Sequence, residues 1–321
     1  MTVACSETTP YQIWEWQGFE IGYQTADFQS ASVQSTSVQS TSVQSTSDQS
    51  ETDLGPAVVL IHGFGASCYH WRKNIPVLAQ TCRVYALDLI GFGRSAKPTP
   101  NQEIAYTFET WSQQIRDFCR EVIGTPVFLV GNSIGCVAAM QAAVDEPDQV
   151  RGVVLLNCSL RLLHDRKREG QPWYKQLGAP ILQSVLQNKA IGQFFFNQIA
   201  QPQAVKNILR QAYHRPEAVT DELVEYLLAP ARDPGAVDVF LAFTAYSQGP
   251  LPEDLLPQLT CPTLVVWGEQ DPWEPIELGR AFSQYPAVEQ FIALPGVGHC
   301  PQDEAPELVN PIVQDWIQTH S

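Results

Sequence analysis

Five short runs of consecutive apolar residues punctuate the chain, at 57–61, 127–130, 153–156, 263–267 and 291–294. Each is four or five residues long with no alternation of polar positions, which predicts strands buried on both faces of a sheet. The stretch from 160 to 250 is patterned differently. Apolar residues recur there at helical spacing over 191–199, 204–213 and 221–228, and again over 181–187, which predicts short amphipathic helices. A final helical stretch is expected over 307–316, and residues 13–25 read as an opening hairpin. Strands that alternate with helices predict a mostly parallel central sheet with flanking helices. The helical stretch then interrupts that core, which would comprise residues 1–159 and 251–321. Within the first part, Ser32-Val33-Gln34-Ser35-Thr36 recurs at 37, at 42 and, degraded, at 47. A period of five with one valine per copy suits neither a helix nor a solenoid, so 27–54 is expected to be a disordered loop expanded at a tolerant surface position.

The run 127–130 leads directly into Gly131-Asn132-Ser133-Ile134-Gly135, and a small-residue helix is expected from Ile134. So abrupt a passage from strand to helix leaves no room for side chains two residues either side of the serine, which is where the glycines stand. The turn lifts the Ser133 hydroxyl above the sheet edge as a candidate nucleophile. Upstream, the run 57–61 enters His62-Gly63-Phe64-Gly65. A glycine-rich turn there can aim the Phe64 amide at the same point as the Ile134 amide, and the two are the candidate oxyanion donors. His62 is expected to shape that loop through its backbone bonds rather than to react. Downstream, the run 263–267 ends in Gly268-Glu269-Gln270-Asp271-Pro272, and the run 291–294 ends in Gly296-Val297-Gly298-His299-Cys300. Asp271, preferred over its neighbours Glu269 and Glu274, can orient the imidazole of His299, the candidate base. The end of the run 153–156, Leu156-Asn157-Cys158-Ser159, offers no carboxylate.

The order Ser, Asp, His together with these motifs resembles the α/β-hydrolase superfamily from about residue 14 to 318. The segment Arg83 to Ser95 also resembles that family's pattern after its fourth strand. The likeness extends to the cyanobacterial and chloroplast hydrolases that include chlorophyll dephytylases and pheophytinases. It is carried by His62-Gly63-Phe64-Gly65-Ala66-Ser67, His70-Trp71-Arg72, Val130-Gly131-Asn132-Ser133 and Val297-Gly298-His299-Cys300-Pro301-Gln302-Asp303-Glu304. The resemblance implies a cap at 160–250, inserted after the sixth core strand and covering the site. It also implies an acyl-enzyme mechanism with Ser133, Asp271 and His299 and without metal or organic cofactor. A serine at 133 argues against the dehalogenase and epoxide hydrolase chemistries on this fold, which use an aspartate. Phe194-Phe195-Phe196, Trp173, Tyr174, Phe240, Phe243 and Tyr246 make the cap apolar, so a bulky apolar ester is the expected substrate, with a chlorophyll or pheophytin phytyl ester as its sharpest form. Two alternatives keep the triad: C–C bond hydrolysis of the meta-cleavage type, and a slow-turnover ligand receptor.

Composition narrows this further. A net charge of −15 disfavours nucleic acid and anionic lipid headgroups, while leaving open transient membrane contact through an apolar cap. No signal peptide or membrane span is read at the start of the chain, and eight cysteines without regular spacing suit a reducing, cytoplasmic setting. Cys136 and Cys300 are expected to pack rather than react. Oligomeric state is not legible in the sequence.

Overall fold

The computed structural model describes residues 10–28, 55–168 and 188–321. The pentapeptide repeat, Trp173, Tyr174 and the helix expected over 181–187 lie outside the described residues. Eight strands form one sheet: β1 (Tyr11–Trp16), β2 (Phe19–Ala26), β3 (Ala57–Ile61), β4 (Arg83–Leu87), β5 (Val127–Asn132), β6 (Val150–Leu156), β7 (Thr263–Gly268) and β8 (Val288–Leu294). Their order is β1-β2-β4-β3-β5-β6-β7-β8. The hairpin β1–β2 joins β4 antiparallel, and every pairing from β4 to β8 is parallel.

The apolar runs are strands because both faces are covered. In β3, Val58 and Leu60 pack on one side with Trp71, Ile75 and the helix Pro306–Thr319, whereas Val59 and Ile61 pack on the other with the helices Phe108–Phe118 and Ile134–Asp145. Full burial on both faces explains why no alternation marks these strands. Polar segments at their ends made β5, β6 and β8 longer than their apolar runs suggest: β6 begins at Val150 and takes in exposed Arg151.

Between β6 and β7 lie the helices Lys189–Ile199, Pro202–Ala212, Asp221–Ala231 and Ala236–Ala245. Three of them match the amphipathic stretches. The fourth has the sequence AVDVFLAFTA, almost wholly apolar, and so shows little helical contrast to a periodicity reading. No described helix is long and apolar enough to cross a membrane.

Candidate active site

All of the site's chemistry sits at the carboxyl ends of the parallel strands, where open α/β sheets place ligands. At the end of β5, Ser133 has φ 56° and ψ −121°, a backbone region that L-residues rarely occupy and that costs roughly 1–3 kcal/mol. The turn is over-determined by its surroundings. A Cβ on Gly131 would lie 2.6 Å from the amide of Cys136 and the carbonyl of Gly135, and one on Gly135 would lie 2.4 Å from the carbonyl oxygen of Ile61. The Ser133 N–H donates to the Leu156 carbonyl (3.1 Å), and the Ser133 carbonyl accepts from the amides of Cys136 and Ser159, each at 3.1 Å. Strand, elbow and helix are therefore locked together around one hydroxyl.

Asp271 and His299 come together from the loops after β7 and β8. The His299 Nδ1–H donates to Asp271 Oδ2 at 2.7 Å, and both residues are buried. The other acceptor positions of Asp271 are also filled. Oδ1 receives the amides of Trp273 (2.9 Å) and Glu274 (3.0 Å), and Oδ2 receives Asn157 Nδ2 (2.7 Å). Burial pushes the Asp271 acid upward, but the bonds from His299, Glu274 and Asn157 outweigh it and hold the carboxyl below its ordinary range. Asn157 itself is fixed, because its Oδ1 accepts from the Gly268 amide at 2.9 Å. Thus the polar residue at the end of β6 serves the carboxylate after β7. Glu269 points elsewhere, 3.9 Å from Arg280. Asn132 ties the elbow to the histidine loop, its Nδ2 donating to the carbonyls of Leu156 and His299, both at 3.1 Å. The Trp273 ring lies against the imidazole, with centroids 4.9 Å apart.

The two expected oxyanion donors border the same space. Ile134 opens its helix, so its N–H has no intrahelical acceptor, and the positive end of the helix dipole lies beside Ser133. Phe64 follows Gly63, whose position for a Cβ lies 3.1 Å from the Ser133 Cβ. Among the described residues neither amide donates to a backbone carbonyl. His62 holds this loop. The Leu89 amide donates to its Nε2 (3.1 Å), so Nδ1 carries the proton and donates to the Gly63 carbonyl (2.7 Å). Complete burial pushes its pKa down, and the ring is a neutral structural element.

Ser133, His299, Asn132, Gly63 and Phe64 all border a cavity of 390 Å³ whose remaining walls are mostly aliphatic and aromatic, among them Phe92, Phe196, Leu209, Leu228, Val239 and Phe240. The aromatic residues between β6 and β7 divide their duties. Phe196 and Phe240 line the cavity, and Phe243 stacks on Phe64 with centroids 4.6 Å apart. Phe194, by contrast, turns outward and is 67% exposed. Among the lining residues that the sequence left without a role are His70 and Glu274. Burial pushes His70 down to about 4, so its ring is neutral near pH 7. Neither Arg72 nor Arg94, the arginines on the neighbouring loops, borders the cavity. Arg72 pairs with Asp303 at 2.8 Å and covers the Tyr69 ring, while Arg94 stacks on Tyr11. Cys136 and Cys300 are buried and free, and burial raises the Cys300 thiol well above its ordinary range, as packing residues would have it.

The segment after the helix Pro202–Ala212 is bolted to the histidine loop. The Ala212 carbonyl accepts from the His299 amide at 2.8 Å, the Tyr213 hydroxyl donates to Asp303 Oδ2 at 2.8 Å, and Glu304 accepts from the amides of Arg215 (2.7 Å) and Gly298 (2.8 Å).

Residues 58–312 match the alpha/beta hydrolase family. The chain is 26% identical over 297 residues to the chloroplastic pheophytinase of Arabidopsis thaliana, covering 82% of this chain and 61% of that one, so it spans less than two thirds of that relative. It is 27% identical to a 2-hydroxy-6-oxo-6-(2'-aminophenyl)hexa-2,4-dienoic acid hydrolase from Metapseudomonas resinovorans, over 79% of this chain and 81% of the other. In structure it resembles the epoxide hydrolase CorEH, with a TM-score of 0.73 at 20% identity over 97% of this chain and 99% of that one, a likeness of fold. The family match covers most of the sequence and the sheet, elbow and strand order agree with it, so the chain belongs to the alpha/beta hydrolase family and is a hydrolase of that type.

Proposed function

We propose that the protein is a serine hydrolase that cleaves a carboxylic ester of a bulky, uncharged, apolar substrate through an acyl-enzyme. The observation that carries this reading is the strained Ser133 turn bordering an apolar cavity together with a hydrogen-bonded His299–Asp271 pair. Ser133 Oγ attacks the ester carbonyl while His299 Nε2 takes its proton. The carbonyl oxygen gains the charge and is held by the amides of Phe64 and Ile134. Collapse expels the alcohol, which receives the proton from His299. Water, deprotonated by the same imidazole, then attacks the acyl-enzyme and releases the acid, and Ser133 recovers its proton. Asp271 holds Nδ1–H throughout and stabilises the imidazolium. The segment between β6 and β7, residues 160–250, acts as a helical cap that supplies the apolar wall.

Similarity to a pheophytinase makes phytyl esters of chlorophyll or pheophytin the sharpest form of the substrate. Similarity to a dienoic acid hydrolase raises C–C bond cleavage as the second reading. Against it, no arginine borders the cavity among the described residues, and Lys97, which does, is already held by Asp233 and the carbonyls of Gly93 and Ser95. Purified protein incubated with chlorophyll a, pheophytin a and p-nitrophenyl esters, beside Ser133→Ala, tests the proposal. Ser133-dependent release of phytol and the dephytylated pigment supports the sharp form. Cleavage of p-nitrophenyl esters alone discards the pigment, and turnover of neither ester class refutes ester hydrolysis.

A further inference from the structure

Glu274 is the one acidic residue among the described residues that line the cavity. Its backbone is fixed at both ends: its amide donates to Asp271 Oδ1 at 3.0 Å, and its carbonyl accepts from Trp267 Nε1 at 2.9 Å. Its side chain reaches back to the segment after β6, where Oε1 accepts from the Ser159 hydroxyl and Oε2 from the Leu160 amide, both at 3.0 Å. Both donors are uncharged. The cations nearest the site are engaged elsewhere. Lys97, which borders the cavity, holds Asp233 (2.8 Å) and the carbonyls of Gly93 and Ser95 (2.8 and 3.3 Å). Arg161, next to Leu160, donates to the carbonyls of Pro250 (2.7 Å) and Gln248 (2.6 Å).

We propose that Glu274 sets a charge rule for this cavity: its carboxylate excludes anionic groups and confines the site to ligands that are uncharged near Ser133. In apolar surroundings an uncompensated charge acts over several ångströms with little screening, so a ligand carboxylate brought into this space meets repulsion that an amide or ester of the same shape does not. The same repulsion favours departure of the acid product, which is an anion once formed. The inference rests on the proposed ester hydrolysis for its meaning in catalysis, while its physical content concerns binding alone. Burial pushes the Glu274 acid up to about 7, so exclusion strengthens as pH rises through that value. Among the described residues, the titratable groups that interact with Glu274 are His299, Asp271 and Cys158, and His70 and Lys97 border the same cavity. His299 can also respond to pH, so the comparison of two proteins, rather than the slope of either, isolates Glu274.

The test uses Ser133→Ala and Ser133→Ala/Glu274→Gln, the second change being isosteric, with octanoate and octanamide as matched ligands. Octanoate is ionised throughout, and titration calorimetry at pH 6 and pH 8.5 gives the ratio of the two affinities. With Glu274 present, preference for the amide should grow by about tenfold more between the two pH values than in the glutamine protein. Equal pH dependence in both proteins overturns the charge rule while leaving the apolar-ligand reading in place. Failure of both ligands to bind either protein removes the apolar cavity as a ligand site, and the charge rule falls with it.

Discussion

Replacing Asp271 with asparagine removes one charge and no volume, and the hydrogen-bond inventory around it determines the outcome. Four N–H groups converge on the carboxylate: the amides of Trp273 and Glu274 on Oδ1, and Asn157 Nδ2 and His299 Nδ1 on Oδ2. An asparagine offers one oxygen. Whichever way its amide turns, an NH₂ group faces two donors. Asn157 cannot relieve the clash by flipping, because its own oxygen would leave the Gly268 amide. The low-energy response is for His299 to give up the Nδ1 proton and accept there. Its proton then sits on Nε2, where it blocks proton transfer from Ser133. Loss of the correct tautomer costs about 10³–10⁴ in kcat, equivalent to ~4–5.5 kcal/mol of transition-state stabilisation. The buried donors left facing one another cost about 1–3 kcal/mol of fold stability. The assay is kcat on a short p-nitrophenyl ester, with thermal unfolding measured alongside. An Asp271→Asn enzyme within tenfold of the parent would refute the role given to Asp271, since the one arrangement that keeps His299 paired through Nδ1–H sets the new NH₂ against the amides of Trp273 and Glu274, which cannot reverse as an imidazole can.

Further expectations follow from neighbouring contacts. Gly135→Ala would drive a Cβ to 2.4 Å from the Ile61 carbonyl, so turnover should be lost with a fall in melting temperature; a fully active, equally stable variant would contradict the close packing of elbow on strand. The folded-state pKa of Glu274 is raised from 4.5 to about 7, so above pH 4.5 the unfolded chain releases this proton more readily and the group destabilises the fold increasingly up to about pH 7. Glu274→Gln should therefore stabilise the protein at pH 8, by on the order of 1–3 kcal/mol, with the advantage vanishing near pH 4.5, as denaturant unfolding at the two pH values would register. Tyr213→Phe leaves buried Asp303 short of a donor and loosens the turn bound to His299; a stability loss of about 1–3 kcal/mol with reduced kcat is expected, and unchanged values of both would deny the coupling.

The elbow was legible in the sequence because its geometry makes local demands. A serine at positive φ between two backbone-packed positions calls for glycines at fixed offsets, and the apolar run before it marks the strand. The parallel strands were legible for the same kind of reason, since burial on both faces leaves an uninterrupted apolar stretch. What the sequence concealed depends on pairings across the fold. Asn157 meets Asp271 across 114 positions and Asn132 meets the His299 carbonyl across 167, and no local pattern distinguishes either asparagine from a turn residue. Glu274 looked like a rival to Asp271 and turns out to reach back to Ser159 and Leu160. Within Phe194-Phe195-Phe196 helical geometry separates neighbours by about 100°, so Phe196 enters the cavity wall while Phe194 faces outward, a distinction composition alone could not make.

Covalent trapping would show whether Ser133 is the nucleophile of an acyl-transfer site. The protein would be treated with an alkyl fluorophosphonate, and the adduct located by intact mass and peptide mapping. The expected result is one adduct per chain on Ser133, none in Ser133→Ala and a much slower reaction in His299→Ala. A modified residue elsewhere, or labelling of Ser133 at the same rate without His299, would contradict it.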